Sequence, residues 1–257
     1  MKLGIIQGRL SEPIEGFQEC PENWAREFEL LVGFKLNHIE WIVTAEKFNT
    51  NPLFAENLRN YPISSVCADF MVSEKFSDGD YLKRFLRPTC EAVLRHGIKH
   101  LTIPLLEESD VSNSKAREIF ASNFAPYVEE FSDITFLIEA ELHQDKLKDL
   151  LEISPTLGVT YDTGNITSCG FSHENYIKEL KDRIKQVHIK DRTINPVETV
   201  PPTRGRTDFN LIFKKLKEIN FDGPYTLQTA REKTGNELET IQKHATIIRN
   251  LYYEEFF

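Results

Sequence analysis

Eight short apolar runs punctuate the chain, and most are followed by charged stretches in which apolar residues return every three or four positions. The runs are KLGIIQG (2–8), HIEWIV (38–43), ISSVCADF (63–70), IKHLTIP (98–104), ITFLIEA (134–140), LGVTYDTG (157–164), IKQVHIK (184–190) and PYTLQTA (224–230). Ile, Val, Phe, Tyr and Thr are frequent in them, and lengths of about four to eight residues suit buried strands. The stretches 21–34, 113–131, 208–219 and 234–253 read as amphipathic helices. The first opens with Pro21 and Glu22, residue types favoured in a first helical turn. Strands alternating with helices in this number predict an α/β protein, a single (β/α)8 TIM barrel. A doubly wound open sheet is the competing arrangement. No linker, low-complexity tract or shift in composition interrupts the pattern, so one domain is expected over 1–257. The Pro-rich passage NPVETVPPTRGR (195–206) reads as a loop after the seventh strand.

A chain of 257 residues can bury a substantial core, and 40% hydrophobic with 28% charged residues is ordinary for a globular protein. The formal net charge of −9 argues against a nucleic-acid partner, yet leaves room for a small anionic substrate held by a few local cations. Cys20, Cys67, Cys90 and Cys169 are scattered and form no CxxC pair, so reduced thiols in a cytoplasm are expected. The opening MKLGIIQGRL has too short an apolar run for a signal peptide, and no run approaches the roughly 18 apolar residues of a membrane helix. The expectation is a soluble, cytoplasmic protein with no membrane partner, whose apolar helix faces leave room for a homodimer.

In a barrel the C-terminal strand ends converge on one mouth, where function is to be sought. Glu139 lies at the end of the fifth run, Asp162 near the end of the sixth, His188 of the seventh and Gln228 of the eighth. Four oxygen or nitrogen donors on successive strands suit one divalent metal ion, such as Mn²⁺, Mg²⁺, Co²⁺ or Zn²⁺. Each has a plainer alternative: Glu139 as a salt-bridged carboxylate, Asp162 as the cap of the helix that follows, His188 as a core residue. Their recurrence at equivalent strand ends favours ligands. Glu141 is a minor candidate.

Other positions near the mouth carry weaker signals. Glu40 and Trp41 end the second run, and the Trp either walls a pocket by apolar contact or packs between barrel and helix. Arg9 follows the first strand, while Arg192 and Arg231 follow the seventh and eighth, where forked guanidinium groups suit a phosphate or carboxylate. Arg204 and Arg206 read as solvated loop charges, and Lys190 with Asp191 as a local ion pair ordering the loop. His96, His100 and His143 show no ligand pattern.

GIIQGRL, FKLNHIEWI, LIEAEL, YDTGN, VHIKDR and GPYTLQTAR, in this order along the chain, resemble the xylose isomerase-like barrel family of sugar isomerases and epimerases. That family also includes inosose and dehydroshikimate dehydratases and endonuclease IV. The resemblance implies metal ligands at Glu139, Asp162, His188 and Gln228, and a substrate pocket near Arg9, Asn165, Lys190, Arg192 and Arg231. A sugar or sugar phosphate is the implied substrate.

Three departures qualify it. Asn165 stands where endonuclease IV and several ketose epimerases place a His, which argues against a trinuclear zinc cluster. PPTRGRTDF has Thr203 where the family's PLGxGxxDF has a glycine. Gln228 stands where the family often has a glutamate.

The last departure bears on mechanism. Inverting a carbon beside a carbonyl benefits from two acid/base groups on opposite faces, and an amide cannot exchange a proton at ordinary pH. Gln228 can still offer a carbonyl oxygen to a metal, which would bind more weakly than to three carboxylates but polarise substrate more strongly. The expected activity is therefore metal-assisted proton abstraction beside a carbonyl, through an enediolate, by an isomerase or epimerase in which Glu139 is the base. Lys190 or Glu141 would be the alternative source of a second acid. The rival readings are a dehydratase or lyase of a cyclic polyol ketone, and a non-catalytic binding barrel with a decayed metal site.

Overall fold

The computed structural model describes residues 1–13, 20–72 and 76–254. Eight parallel strands close into a barrel: β1 (Lys2–Ile6), β2 (Ile39–Ile42), β3 (Ile63–Cys67), β4 (His100–Leu105), β5 (Thr135–Ala140), β6 (Gly158–Asp162), β7 (Ile184–Ile189) and β8 (Pro224–Leu227). Their order around the barrel is β1-β8-β7-β6-β5-β4-β3-β2. The intervening helices are α1 (Trp24–Leu31), α2 (Gly79–His96), α3 (Ser114–Glu130), α4 (Gln144–Leu151), α5 (Thr163–Ser168), α6 (His173–Leu180), α7 (Phe209–Glu218) and α8 (Glu237–Glu254). Strands such as IEWI and GVTYD are buried at every position, because a parallel sheet under helices has both faces covered.

Met1–Ile39 and Thr160–Phe257 make one compact unit. In it Gly4 of β1 pairs with Thr226 of β8, and Thr226 pairs with His188 of β7. Alternate strand residues share a face, so Gly4, Thr226 and His188 point one way. Tyr225 points the other way, with its ring 6.1 Å from Phe213 of α7 and 5.7 Å from Tyr252 of α8. The Thr226–His188 face is therefore the barrel interior. Gly4 is needed there: a Cβ would lie 2.2 Å from the His38 ring, which reaches to 3.3 Å from the Thr226 hydroxyl.

Glu40–Val159 make the second unit. β4 and β5 pair along their whole length, with Thr102 beside Leu137 and Pro104 beside Glu139. Phe136 faces outward, its ring 5.1 Å from Phe124 of α3. On the inner side the Thr102 hydroxyl donates to the Glu40 carboxylate at 3.2 Å.

Helix starts follow the sequence chemistry. Asp78, Asn113, Ser172 and Asp208 each accept a backbone N–H of the first turn of α2, α3, α6 and α7. The helix expected from Pro21 begins only at Trp24, so Pro21 and Glu22 precede it. Within 195–206 the loop reading holds except at Thr199–Val200, which pairs with Asp191–Arg192 in a short antiparallel ribbon.

Candidate metal centre

The segment YDTG at the β6–α5 junction builds one wall of the site. The Asp162 carboxylate accepts the Asn165 backbone N–H at 2.8 Å, so it caps α5 as a lone Asp in this position should. Its other oxygen lies 2.7 Å from the Lys190 ammonium and 3.8 Å from His188 Nδ1. Burial pushes the Asp162 carboxyl up, but Lys190, then His188 and Arg192, outweigh that and hold it below its ordinary range.

Thr163 secures the lysine's backbone. Its hydroxyl donates to the Lys190 carbonyl at 2.7 Å and accepts the Lys190 N–H at 2.9 Å. Gly164 leaves space for the stem, since a Cβ there would lie 2.8 Å from Lys190 Cγ. Lys190 thus pairs with Asp162 rather than ordering the loop with Asp191, which corrects the reading from adjacency. Asp191 is buried and accepts the backbone N–H groups of Gly205 and Thr207 at 2.8 and 3.0 Å.

His188 is fully buried, and its Nε2 lies 2.9 Å from the Gln186 side-chain nitrogen. Gln228 continues β8, its backbone N–H donating to the Ile189 carbonyl at 3.0 Å. The register that pairs Thr226 with His188 and Leu227 with Ile189 puts Gln228 level with Lys190, on the face of His188. Gln228 is 6% exposed, and its side-chain oxygen has no hydrogen-bond partner among the described residues. A buried carbonyl in that condition suits a cation or a ligand's hydroxyl, because an unmade buried hydrogen bond is costly.

Glu139 is 3% exposed and sits on the inner side of β5. Glu139, Asp162 and His188 each offer a ligand atom, and the three atoms lie within 4.8 Å of one another. Two carboxylates and an imidazole make a donor set that fits Mn²⁺, Mg²⁺, Co²⁺ or Zn²⁺. Asp69, just past β3, is a further carboxyl: burial, and then the charges of Glu139, Glu46 and Glu107, push it up to about 7.

Arg9 and Arg231 line one cavity with Lys233, Thr234 and Glu237. Arg231 also braces the loop after β1, donating to the carbonyls of Ser11 and Gly8 at 3.1 and 2.6 Å. Glu27 of α1 holds the same loop by accepting the N–H groups of Gly8 and Leu10 and the Ser11 hydroxyl. Arg192 donates to the Ser168 hydroxyl at 3.3 Å, and Asn165 is buried in α5. Glu40 is buried under Thr102, and Glu141 is exposed. Trp41 is fully buried, its indole N–H bonded to Asn51 at 2.8 Å, so it packs rather than walls a pocket. Sequence reasoning passed over Thr163, Gly164 and Gln186. Only Gln186 had a readable signal, its place two residues before His188 on the same strand face.

A family model described as "Xylose isomerase-like TIM barrel" matches residues 53–251. No curated protein matches the chain in sequence. Among solved structures, D-psicose 3-epimerase with D-tagatose from Clostridium cellulolyticum H10 superposes with a TM-score of 0.74 at 12% identity, covering 99% of each chain. The IolI protein with a bound zinc atom gives 0.73 at 15%, over 100% of this chain and 99% of its own. The probable 3-DHS dehydratase AsbF of Bacillus anthracis gives 0.72 at 12%, over 97% and 99%. Identities this low establish a shared fold and nothing finer.

Proposed function

Because the chain belongs to the xylose isomerase-like TIM barrel family, we propose that it is a divalent-metal-dependent isomerase or epimerase of a sugar or sugar phosphate. The observation that carries this is the buried group of Glu139, Asp162 and His188, joined by the bare carbonyl of Gln228. These four residues would hold the ion. When bound, it supplies a Lewis acid that polarises a substrate oxygen.

The chain's own groups do the rest. Glu139 removes the proton beside the substrate carbonyl, leaving an enediolate, and returns it to the neighbouring carbon on the same face, while the substrate's hydroxyl proton passes to the former carbonyl oxygen. Lys190, fixed at both its backbone and its ammonium, steadies developing negative charge. Arg9 and Arg231 line the cavity that would take an anionic or hydroxyl-rich end of the substrate. Arg192, Asn165 and Glu40 complete the polar surround. With Gln228 in place of a carboxylate, the chemistry runs on one base, which suits aldose–ketose isomerisation.

The same one-base arrangement favours a second reading, the dehydration of a cyclic polyol ketone. Both are tested by incubating the protein with Mn²⁺, Co²⁺ or Zn²⁺ and a panel of ketoses, their phosphates and cyclic polyol ketones in heavy water. The first reading expects deuterium on the carbon beside the carbonyl, lost in Glu139→Gln. The second expects a product lighter by one water. Neither outcome in metal-loaded protein leaves a binding barrel without catalysis.

A further inference from the structure

Both oxygens of the Asp162 carboxylate already have work to do. Oδ1 accepts the Asn165 backbone N–H at 2.8 Å and caps α5. Oδ2 faces the ring of His188, 3.8 Å from Nδ1, so it is the oxygen that an ion shared with His188 would bind. The Lys190 ammonium lies 2.7 Å from that same oxygen. Asp162 and Lys190 are both buried, where solvent ions screen charge poorly.

Lys190 is also built to stay where it is. The Thr163 hydroxyl holds both its carbonyl and its N–H. Its Cβ, Cγ and Cδ lie over Gly164, 2.8–3.0 Å from where a Cβ on that glycine would stand. The β6–α5 junction therefore delivers a fixed positive charge to the oxygen an ion needs. A carboxylate oxygen has two lone pairs, so ammonium and ion can share Oδ2, but only as like charges in close approach.

Resting on the metal-site reading above, we propose that Lys190 sets the affinity of that site, its fixed charge competing with the ion for Asp162 Oδ2 and keeping the ion loosely held. Two opposite effects are in play, and their sizes decide the sign. A hydrogen-bonded partner behind a ligand ordinarily helps, and its loss weakens metal binding about 10–100-fold. A full positive charge on the ligand's own oxygen repels a divalent ion, and in a buried site that repulsion exceeds the help. Removing Lys190's charge should therefore tighten binding, where removing a neutral partner would weaken it.

The test is the Zn²⁺ affinity of metal-free wild type, Lys190→Gln and Lys190→Met. It is read by competition with a chelating dye at one alkaline pH, and checked by the rise in melting temperature that Zn²⁺ produces. Gln removes the charge and keeps a donor for Asp162, whereas Met removes both. Lys190→Gln should bind Zn²⁺ about tenfold or more tightly than wild type, and Lys190→Met should also gain, but by less. Adding His188→Ala to Lys190→Gln should abolish the gain, which ties it to this site.

A variant that folds only with Zn²⁺ present supports the proposal, because the ion then replaces the cation that the buried carboxylate requires. Should Lys190→Gln fold in neither condition, Lys190→Met decides on the same criterion. Zn²⁺ binding in the variants that is equal to wild type or weaker overturns the proposal and leaves the metal site standing. Uptake by none of the three proteins overturns the proposal and the metal reading together.

Discussion

Gly164 is tolerated inside α5, despite a helix cost of about 1 kcal/mol relative to Ala, because Lys190 passes 2.8 Å from where its Cβ would be. The lysine cannot swing away, being tied to Thr163 at its backbone and to Asp162 at its tip. Gly164→Ala should therefore destabilise, by about 1–3 kcal/mol, in thermal unfolding. A gain in stability would mean the stem is not held there. Thr203 presents the opposite case. It occupies the left-handed region at φ 72°, where a Cβ is disfavoured, at the position where the family resemblance has glycine. Thr203→Gly should raise stability by up to about 1 kcal/mol; a lower melting temperature would contradict this.

The strand ends were legible in the sequence because period two and a parallel barrel leave little choice of face: Glu139, Asp162, His188 and Gln228 followed from it. The partners of those residues were not. Lys190 sits next to Asp191 in sequence but bonds to Asp162, 28 positions away, and only the folded β6–β7 neighbourhood supplies that fact.

Elements show the same division. The amphipathic helices with clean apolar periodicity were readable to within a few residues. α2, with Pro88 within it and charges throughout, has its boundaries set by the Asp78 cap and the left-handed Gly97 instead.

The junction of β6 with α5 and α6 carries a testable pH dependence. His173, in the first turn of α6, lies 2.5 Å from the Tyr161 hydroxyl and 3.0 Å from that of Thr167. Burial pushes its imidazole down to about 4, with Asp208 opposing weakly. Between the ordinary value of 6.5 and about 4 the unfolded chain binds more protons there than the folded one, so this contribution to stability is lost as pH falls through that window. It is complete above the window and levels off below. His173→Gln should flatten the pH dependence of the melting temperature across that range. An unchanged slope would show that the imidazole does not stay neutral in the fold.

For the molecule as a whole, the proposed function requires one divalent ion held by Glu139, Asp162, His188 and Gln228. Binding to the folded state alone stabilises it, by about 2.7 kcal/mol when free metal is 100 times the dissociation constant. Mn²⁺, Co²⁺ or Zn²⁺ should therefore raise the melting temperature of wild type and leave His188→Ala unmoved. The most direct measurement is the metal content of protein purified without chelator, with Gln228→Glu and His188→Ala alongside. A single divalent ion per chain is expected, lost in His188→Ala and held more tightly in Gln228→Glu, where a third carboxylate adds charge to the donor set. Wild-type protein that carries no ion and takes up none at millimolar Mn²⁺, Co²⁺ or Zn²⁺ would contradict it.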